Sequence, residues 1–296
     1  MGIAAIFLAL SSSLLWGGNS AAVKFSVDAL PPVSVAAVRF GLASLFMVAW
    51  CLWAGTDLGI RRKHLLAVGI GGLLHYAQII AFNFGVHWSN ATHSVVLINA
   101  FVFVVVAIDH FAGFGPRMTR SKWIGLLLAA AGVALVFNYS SRPHWPEQTI
   151  RMVDLPSRKG DLVILVSAFL LSLRFVWIKK WVETIEPANF MLWQFAFSVL
   201  LFVGTSLLFE QADLTKVNAP AFFALLYQGL LVGGFCFAVQ AALLKRYSAT
   251  QVAIFSFTTP LFGVAASALT RDDPLSPWLL VSVVLISWGI YLVQRP

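Results

Sequence analysis

Ten long runs of apolar residues divide the chain, and short polar stretches separate each run from the next. A bilayer core about 30 Å thick needs roughly 20 residues of helix to cross it. Lipid offers backbone groups no hydrogen-bond partner, so each run is predicted to be helical. The predicted spans are 3–24, 33–54, 64–86, 91–111, 121–138, 161–178, 187–208, 219–242, 249–269 and 276–293. The pattern predicts an all-α integral membrane protein with ten transmembrane helices.

Composition supports lipid as the solvent of this chain. Hydrophobic residues make up 59% of the 296 positions and charged residues only 11%, whereas a soluble domain has about 25% charged residues. The net charge of +8 invites a nucleic-acid interpretation. The basic residues, however, lie in short clusters between the apolar runs, which is typical of membrane topology and excludes a nucleic-acid partner.

The distribution of lysine and arginine predicts an orientation. With a cytoplasmic N-terminus, the inner segments hold 11 of these residues and the outer segments 7. The positive-inside rule therefore places both termini in the cytoplasm of a bacterial inner (plasma) membrane. The long connection 139–160 is then periplasmic.

A weak internal repeat divides the chain into two halves. A displacement of 155 residues brings Pro32 onto Pro187 and Phe40 onto Phe195, at the same points of each half. With five helices in each half, the two copies must cross the membrane in opposite senses, as in many secondary transporters. The predicted units are a first repeat (1–138), a connection (139–160) and a second repeat (161–296).

Three stretches carry a resemblance to a known family. They are LLWGGN at 14–19, SNAT at 89–92, and SAT at 248–250 leading to Thr259-Pro260. In these the chain resembles the EamA-like, ten-helix members of the drug/metabolite transporter (DMT) superfamily over essentially its whole length. The family's proline in the ninth helix is kept as Pro260, but Val102 stands at the matching place in the fourth, and the family's Gly-Glu pair is Gly115-Pro116 here. The resemblance implies an exporter or exchanger of small metabolites, with bacterial exporters of amino acids, including aromatic ones, as the nearest analogy.

Polar and aromatic residues deep in the spans predict a midplane cavity, because buried polar groups in a membrane usually face the bundle interior. His75, Gln78 and Phe82 share one face of the third span. The other predicted lining residues are Trp16, Asn19, Asn99, Trp193, Gln194, Tyr227, Gln228 and Thr258. Such a lining suits a small zwitterion or a planar polar solute. The alternative is that polar residues only bridge helices, at ~0.6 kcal/mol each.

Two cations lie at similar depth in the first hairpin. Lys24 precedes Pro32 by eight residues and Arg39 follows it by seven. We predict that they form an outer vestibule for a carboxylate or phosphate, with snorkelling to the interface as the alternative, helped for Lys24 by Asp28. Arg174, close to Lys179, is expected to snorkel to the inner surface.

No enzyme motif is visible, and neither a metal nor a cofactor is predicted. We expect a secondary transporter of small metabolites that works by alternating access, and amino acids are the substrates we expect first. The alternatives are a lipid flippase, a structural subunit, or a transporter of another small solute such as a nucleobase or organic cation. Facilitated diffusion, exchange and proton antiport are all compatible with the sequence, and a coupling proton would need His75 or His93. The sequence does not indicate an oligomeric state.

Overall fold

A computed structural model describes residues 1–111, 119–139, 156–271, 275 and 277–293, and all regular structure in these residues is helical. Gly115-Pro116 lies outside the described residues, and so does most of the predicted connection 139–160. The α-helices are α1 (Ile3–Val27), α2 (Pro32–Trp53), α3 (Leu65–Trp88), α4 (Ala91–Ile98), α5 (Phe101–Phe111), α6 (Arg120–Tyr139), α7 (Arg158–Trp181), α8 (Pro187–Phe209), α9 (Ala219–Leu226), α10 (Phe237–Arg246), α11 (Ala249–Ala253), α12 (Thr259–Arg271) and α13 (Pro277–Val293). Tyr227–Cys236 is a π-helix, and 3-10 turns cover Arg62–His64, Leu214–Lys216 and Ile254–Thr258.

Eight helical stretches of the described chain are long and apolar enough to cross a membrane. The stretch Ala91–Ile108 joins α4 to α5, and Ala219–Arg246 joins α9 and α10 through the π-helix. The predicted last span corresponds to the shorter apolar helix Pro277–Leu292. The predicted span 249–269 is divided by a 3-10 turn. The multi-pass membrane fold is confirmed, and the count of ten spans stays a prediction.

Local sequence explains where the helices begin. Pro32 and Pro187 open α2 and α8, at positions where the missing N–H has no partner to lose. Asn90, Ser157 and Asn218 each precede a helix, and their side chains accept a hydrogen bond from a backbone N–H of its first turn. Such caps satisfy backbone donors that the helix itself leaves unpaired.

The distribution of side chains is the reverse of that in a soluble protein. Large apolar residues such as Leu45, Leu200 and Leu207 are exposed on the outside of the bundle, while polar residues such as Asn83 and Ser94 are buried. Lipid accepts the apolar surface, and the bundle interior supplies the hydrogen bonds that lipid lacks.

Helices of the predicted first half pack mainly against helices of the second. α6 packs along α13, α2 along α8, and α3 along α7. α1 packs against the π-helix, which occupies in the second half the place that α3 has in the first. These relations agree with a pseudo-two-fold arrangement, and the two repeats stay a prediction.

Contacts between the halves define the two ends of the bundle. At the end where α1 begins, here called the N-terminal end, Asn189 of α8 donates hydrogen bonds to the carbonyls of Asp57 and Gly59. At the opposite end, the Glu210 carboxylate accepts hydrogen bonds from the backbone N–H groups of Val33 (2.9 Å) and Ser34 (2.7 Å) at the start of α2.

Candidate functional site

A cavity of about 90 Å³ lies in the interior of the bundle, lined by both halves of the chain. At about 10–15 Å³ for each water, it has room for several waters or for a small solute in their place. The lining residues are Trp16, Asn19, Ser20, Arg39, Gln78, Ile79, Phe82, Ile98, Asn99, Phe101, Leu171, Phe237, Gln240, Ser256 and Thr259.

Five predicted cavity residues line this cavity: Trp16, Asn19, Gln78, Phe82 and Asn99. The Oδ1 atom of Asn19 is buried and has no hydrogen-bond partner in the described part of the chain. Trp16 contacts another lining ring, that of Phe237, edge-on at 5.7 Å between centroids. The structure brings these residues together, and their role in binding a solute stays a prediction.

Two helices are interrupted by 3-10 geometry beside the cavity. Between α4 and α5, N–H groups of Ala100, Val102 and Phe103 bond to carbonyls three residues back, so the helix tightens around Asn99. In the second half, Ile254–Thr258, just before Pro260, is also a 3-10 turn. Pro260 lacks the N–H that would continue an α-helix. The first break occurs without a proline.

Arg174 is a cavity neighbour that sequence reasoning missed. Its side chain is fully buried rather than turned to the membrane surface, so the predicted snorkelling is wrong. Its Nη1 atom donates to Gln78 Oε1 at 3.3 Å, and its guanidinium lies 4.5 Å from the centroid of the Phe237 ring. Both partners line the cavity. Helices α3 and α10 cover the side chain and prevent it from reaching the interface.

His75 does not line the cavity, which corrects its prediction. Its ring is enclosed by aromatic residues, with Phe40 edge-on at 4.2 Å and Phe195 at 5.1 Å between centroids. Its Nδ1 atom lies 2.9 Å from Ser198 Oγ of α8. His75 therefore meets α8, whereas Gln78, one turn further along α3, meets α7 through Ser167.

Trp193 and Gln194 also lie away from the cavity. The indole N–H of Trp193 donates to the carbonyl of Leu58 at 2.8 Å, so this side chain holds the loop between α2 and α3. Gln194 is buried against Gly71 of α3, and neither of its amide atoms has a partner among the described residues. Trp193 therefore stabilises the N-terminal end, and Gln194 lies in the α3–α8 contact.

The remaining predicted lining residues bridge helices. The Tyr227 hydroxyl donates to the carbonyl of Leu15. Gln228 Nε2 donates to Ser26 Oγ at 2.7 Å. The Thr258 hydroxyl donates to the Phe255 carbonyl of its own turn at 2.9 Å. For these three residues the alternative given above, hydrogen bonding within the bundle, describes the structure.

The predicted outer vestibule is not present as one site. Arg39 is buried and lines the central cavity. Lys24 is also buried, and its Nζ donates to the Ser89 carbonyl at 3.4 Å and lies 3.5 Å from Asp28 Oδ1. Arg271 lies on the other side of Asp28, at 2.7 Å from Oδ2. Lys24 thus belongs to a charged network at the opposite end of the bundle.

A second acid, which unlike Asp28 is buried, joins that network through Ser89. Asp161, in the first turn of α7, is fully buried and accepts a hydrogen bond from Ser89 Oγ at 2.6 Å. His93 Nδ1 of α4 lies 2.9 Å from its other carboxylate oxygen. Sequence reasoning placed Asp161 at the very end of a span and missed it. Its position one turn after the Ser157 cap was the available signal.

No group of three or more His, Cys, Asp or Glu side chains that could hold a metal occurs within the described ranges. The central cavity is lined by amide, hydroxyl, guanidinium and aromatic groups. These groups suit reversible binding of a small polar molecule.

The multi-pass membrane fold, with a cavity between its two halves that carries polar groups, is the arrangement expected of a transporter. The EamA-like transporter family matches the chain over residues 3–138 and 158–295. The chain belongs to this family, whose members are transporters rather than enzymes. The two matched segments correspond closely to the two predicted halves.

Curated relatives align along nearly the whole chain. A Salmonella typhimurium protein named "Probable amino-acid metabolite efflux pump" is 26% identical over 295 residues, covering 97% of this chain and 93% of that one. The Escherichia coli protein of the same name is 24% identical over 297 residues, covering 96% and 93%. An "Uncharacterized transporter" of Archaeoglobus fulgidus is 25% identical over 293 residues, covering 97% and 96%.

A solved crystal structure shares the fold. It superposes with a TM-score of 0.73 at 18% sequence identity, and the match covers 99% of this chain and 96% of the other.

Proposed function

We propose that this small-molecule transporter moves amino acids or similar metabolites across the bacterial inner membrane, by export or exchange, through the central cavity. The observation that carries the proposal is a cavity between the two halves, into which amide, hydroxyl and guanidinium groups project from an otherwise apolar lining. A desolvated amide or cation is costly in lipid, and it is retained where a polar solute uses it. The names of two relatives, both amino-acid metabolite efflux pumps, support the substrate class.

A series of spaces leads from the cavity to the N-terminal end. A gap of about 10 Å³ shares Trp16, Gln240 and Ser256 with the cavity. A groove of about 650 Å³ shares Val239 and Leu243 with this gap and continues to the start of α1.

The opposite end is closed by contacts between the halves, through Asp161 with His93 and Glu210 with the start of α2. The gap of about 10 Å³ is too small for a solute, so a solute could leave toward the N-terminal end only after a further movement of the halves. Spaces toward one end and contacts between the halves at the other support alternating access. With both termini cytoplasmic, as proposed from the charge distribution, these spaces lie toward the cytoplasm.

Counterflow in proteoliposomes tests the function. Vesicles preloaded with unlabelled solute are given labelled amino acids, nucleobases or organic cations, and we expect transient accumulation of an amino acid. Asn19→Val removes a buried oxygen that has no partner in the described chain. It should therefore leave folding intact and raise KM about two- to tenfold, the equivalent of one neutral hydrogen bond.

Gln211→Ala, in an exposed connection, is the matched control. An unchanged KM in Asn19→Val would contradict the cavity as the binding site. Absence of counterflow for every solute, with folded protein, would instead favour a lipid substrate.

The buried His93–Asp161 pair is the proposed site for a coupling proton, in place of His75. It joins α4 of one half to α7 of the other. Two lysines contact the residues just before α4: Lys24 Nζ bonds to the Ser89 carbonyl, and Lys159 Nζ lies 3.8 Å from the centroid of the Trp88 ring. A proton placed on the Asp161 carboxylate would remove its charge, weaken its hydrogen bonds to Ser89 and His93, and so loosen the contact that closes the opposite end.

Asp161→Asn tests the coupling. It should abolish the effect of an imposed pH gradient on net transport while counterflow continues, because exchange needs no net proton movement. Glu183→Gln, an exposed acid at the N-terminal end, is the control. A pH-gradient response equal to that of the wild type would contradict the assignment.

A further inference from the structure

Two arginines are buried next to one another at the central cavity. Arg39 of α2 is 2% exposed and Arg174 of α7 is 0% exposed. Arg39 lines the cavity, and Arg174 bonds to Gln78, which also lines it. The two residues come from opposite predicted halves of the chain, so each half supplies one guanidinium group to the region of the cavity.

Aromatic rings hold both guanidinium groups in place. The Arg39 guanidinium lies 4.8 Å from the centroid of the Phe40 ring, and that of Arg174 lies 4.5 Å from the Phe237 ring. The two rings are neighbours, 6.4 Å apart between centroids. Cation–π contacts position a guanidinium without using its N–H donors.

Most of the donors on these two side chains are unused. Arg39 Nε and Nη1, and Arg174 Nε and Nη2, are buried and have no hydrogen-bond partner in the described ranges. Neither arginine forms a salt bridge with an acidic side chain of the described chain. The charges of the two arginines repel each other. Burial of an unpaired cation costs several kcal/mol, so a pair of them calls for an anion.

We propose that Arg39 and Arg174 together bind the carboxylate of the transported solute, and that the solute class is small organic carboxylates, with amino acids as one member. This inference rests on the proposed function, whose site it specifies. A guanidinium matches the planar geometry of a carboxylate and binds it with paired N–H donors.

The described residues that line the cavity offer a solute ammonium uncharged acceptors and aromatic faces, such as Asn19 Oδ1 and Trp16, and no aspartate or glutamate is among them. An ammonium group therefore gains less there than a carboxylate gains from two arginines. A 2-oxo acid, which keeps the carboxylate and lacks the ammonium, should therefore bind as well.

The first test needs no variant. Binding to the purified full-length protein is followed by thermal shift with L-alanine and L-leucine, with their 2-oxo acids, and with their carboxamides. We expect the amino acids and the 2-oxo acids to raise Tm and the carboxamides to have at least tenfold weaker affinity. Equal affinity of acid and amide would overturn the proposal, as would binding of the amino acids without their 2-oxo acids, or no binding by any carboxylate.

Variants then assign the effect to the two arginines. Arg39→Gln and Arg174→Gln should each weaken carboxylate binding at least tenfold and leave the weak carboxamide affinity unchanged. Arg39→Lys should recover part of the loss, and Lys216→Gln, in an exposed turn, should change nothing. An equal loss for acids and amides would indicate a purely structural role and overturn the proposal.

Transport distinguishes this inference from the function on which it rests. Arginine-dependent carboxylate binding without counterflow would support the anion site and remove the proposed function. If the arginine variants still show counterflow of amino acids and the same preference for acids over carboxamides, the proposed function stands and the anion site is overturned.

Discussion

Replacement of Glu210 by alanine should open the cavity toward the opposite end of the bundle. The Glu210 carboxylate, at the end of α8, accepts three hydrogen bonds at the start of α2: from the N–H groups of Val33 and Ser34, and from Ser34 Oγ at 2.8 Å. It acts as an N-terminal cap supplied by the other half of the chain. A negative charge at this position also interacts favourably with the helix dipole.

The magnitude follows from the lost cap. Removal of a capping side chain costs about 0.5–2 kcal/mol. The cap joins two halves that must separate when the opposite end opens. It therefore stabilises the conformation closed at that end and does not stabilise the open one. Three hydrogen bonds to a charged carboxylate place this cap in the upper part of that range. A shift of about 1–2 kcal/mol changes a conformational ratio by roughly 5- to 30-fold.

Thiol labelling measures this shift. In a background in which Cys51 and Cys236 are replaced, Ser20→Cys places one thiol in the cavity lining. A membrane-impermeant reagent is added to vesicles of each orientation. We expect Glu210→Ala to speed labelling from the opposite end about 5- to 30-fold, with no gain from the N-terminal end.

The control lies in the same connection between α8 and α9. Asp213→Asn removes a carboxylate whose contacts in the described chain lie within its own turn, with Thr215 and with Lys216 Nζ at 3.9 Å. It should leave both labelling rates unchanged. Equal labelling of Glu210→Ala and the parent from the opposite end would refute the reasoning, and a gain from both ends would show general loosening.

Three further changes test packing and local electrostatics. Gly263→Ala should lower stability by about 1–3 kcal/mol, because a Cβ there would overlap a valine methyl of α4; Gly204→Ala, with open space around it, should be neutral in the same thermal-melt assay. Trp193→Phe should lower stability by about 1 kcal/mol through one lost hydrogen bond and leave KM unchanged. A raised KM would show that Trp193 takes part in solute binding. Hydrogen bonds from Thr215 hold the pKa of the exposed Asp213 carboxylate below its ordinary value. The stabilisation of this turn is present above the ordinary pKa and lost as pH falls through the depressed value. Thr215→Val should raise the Asp213 pKa in an NMR titration, and an unchanged pKa would contradict the assigned cause.

The sequence predicted the membrane fold well because the solvent decides it. Apolar runs of the right length must become helices in lipid, and prolines mark their starts, as Pro32 and Pro187 do. The family resemblance was carried by short motifs and is confirmed over both halves. The break between α4 and α5 was less predictable, since Val102 replaces the family's proline there.

Site residues were predicted less completely, because a helical face shows direction but not the neighbouring helix. His75 and Gln78 share a face of α3, yet α8 covers the first and α7 meets the second. Depth counted from span ends failed for Arg174 and Asp161, which tertiary packing buries. Only the assembled bundle shows that Arg39 and Arg174 approach the same cavity.

Solute protection of the cavity thiol tests the central claim most directly. Ser20→Cys in the cavity is compared with Gln211→Cys, which lies in the exposed connection between α8 and α9. Both are labelled with and without a solute that the same vesicles transport. A cavity that carries the solute predicts slower labelling of Ser20→Cys and no change at Gln211→Cys. Identical labelling of Ser20→Cys with and without the transported solute would contradict the account.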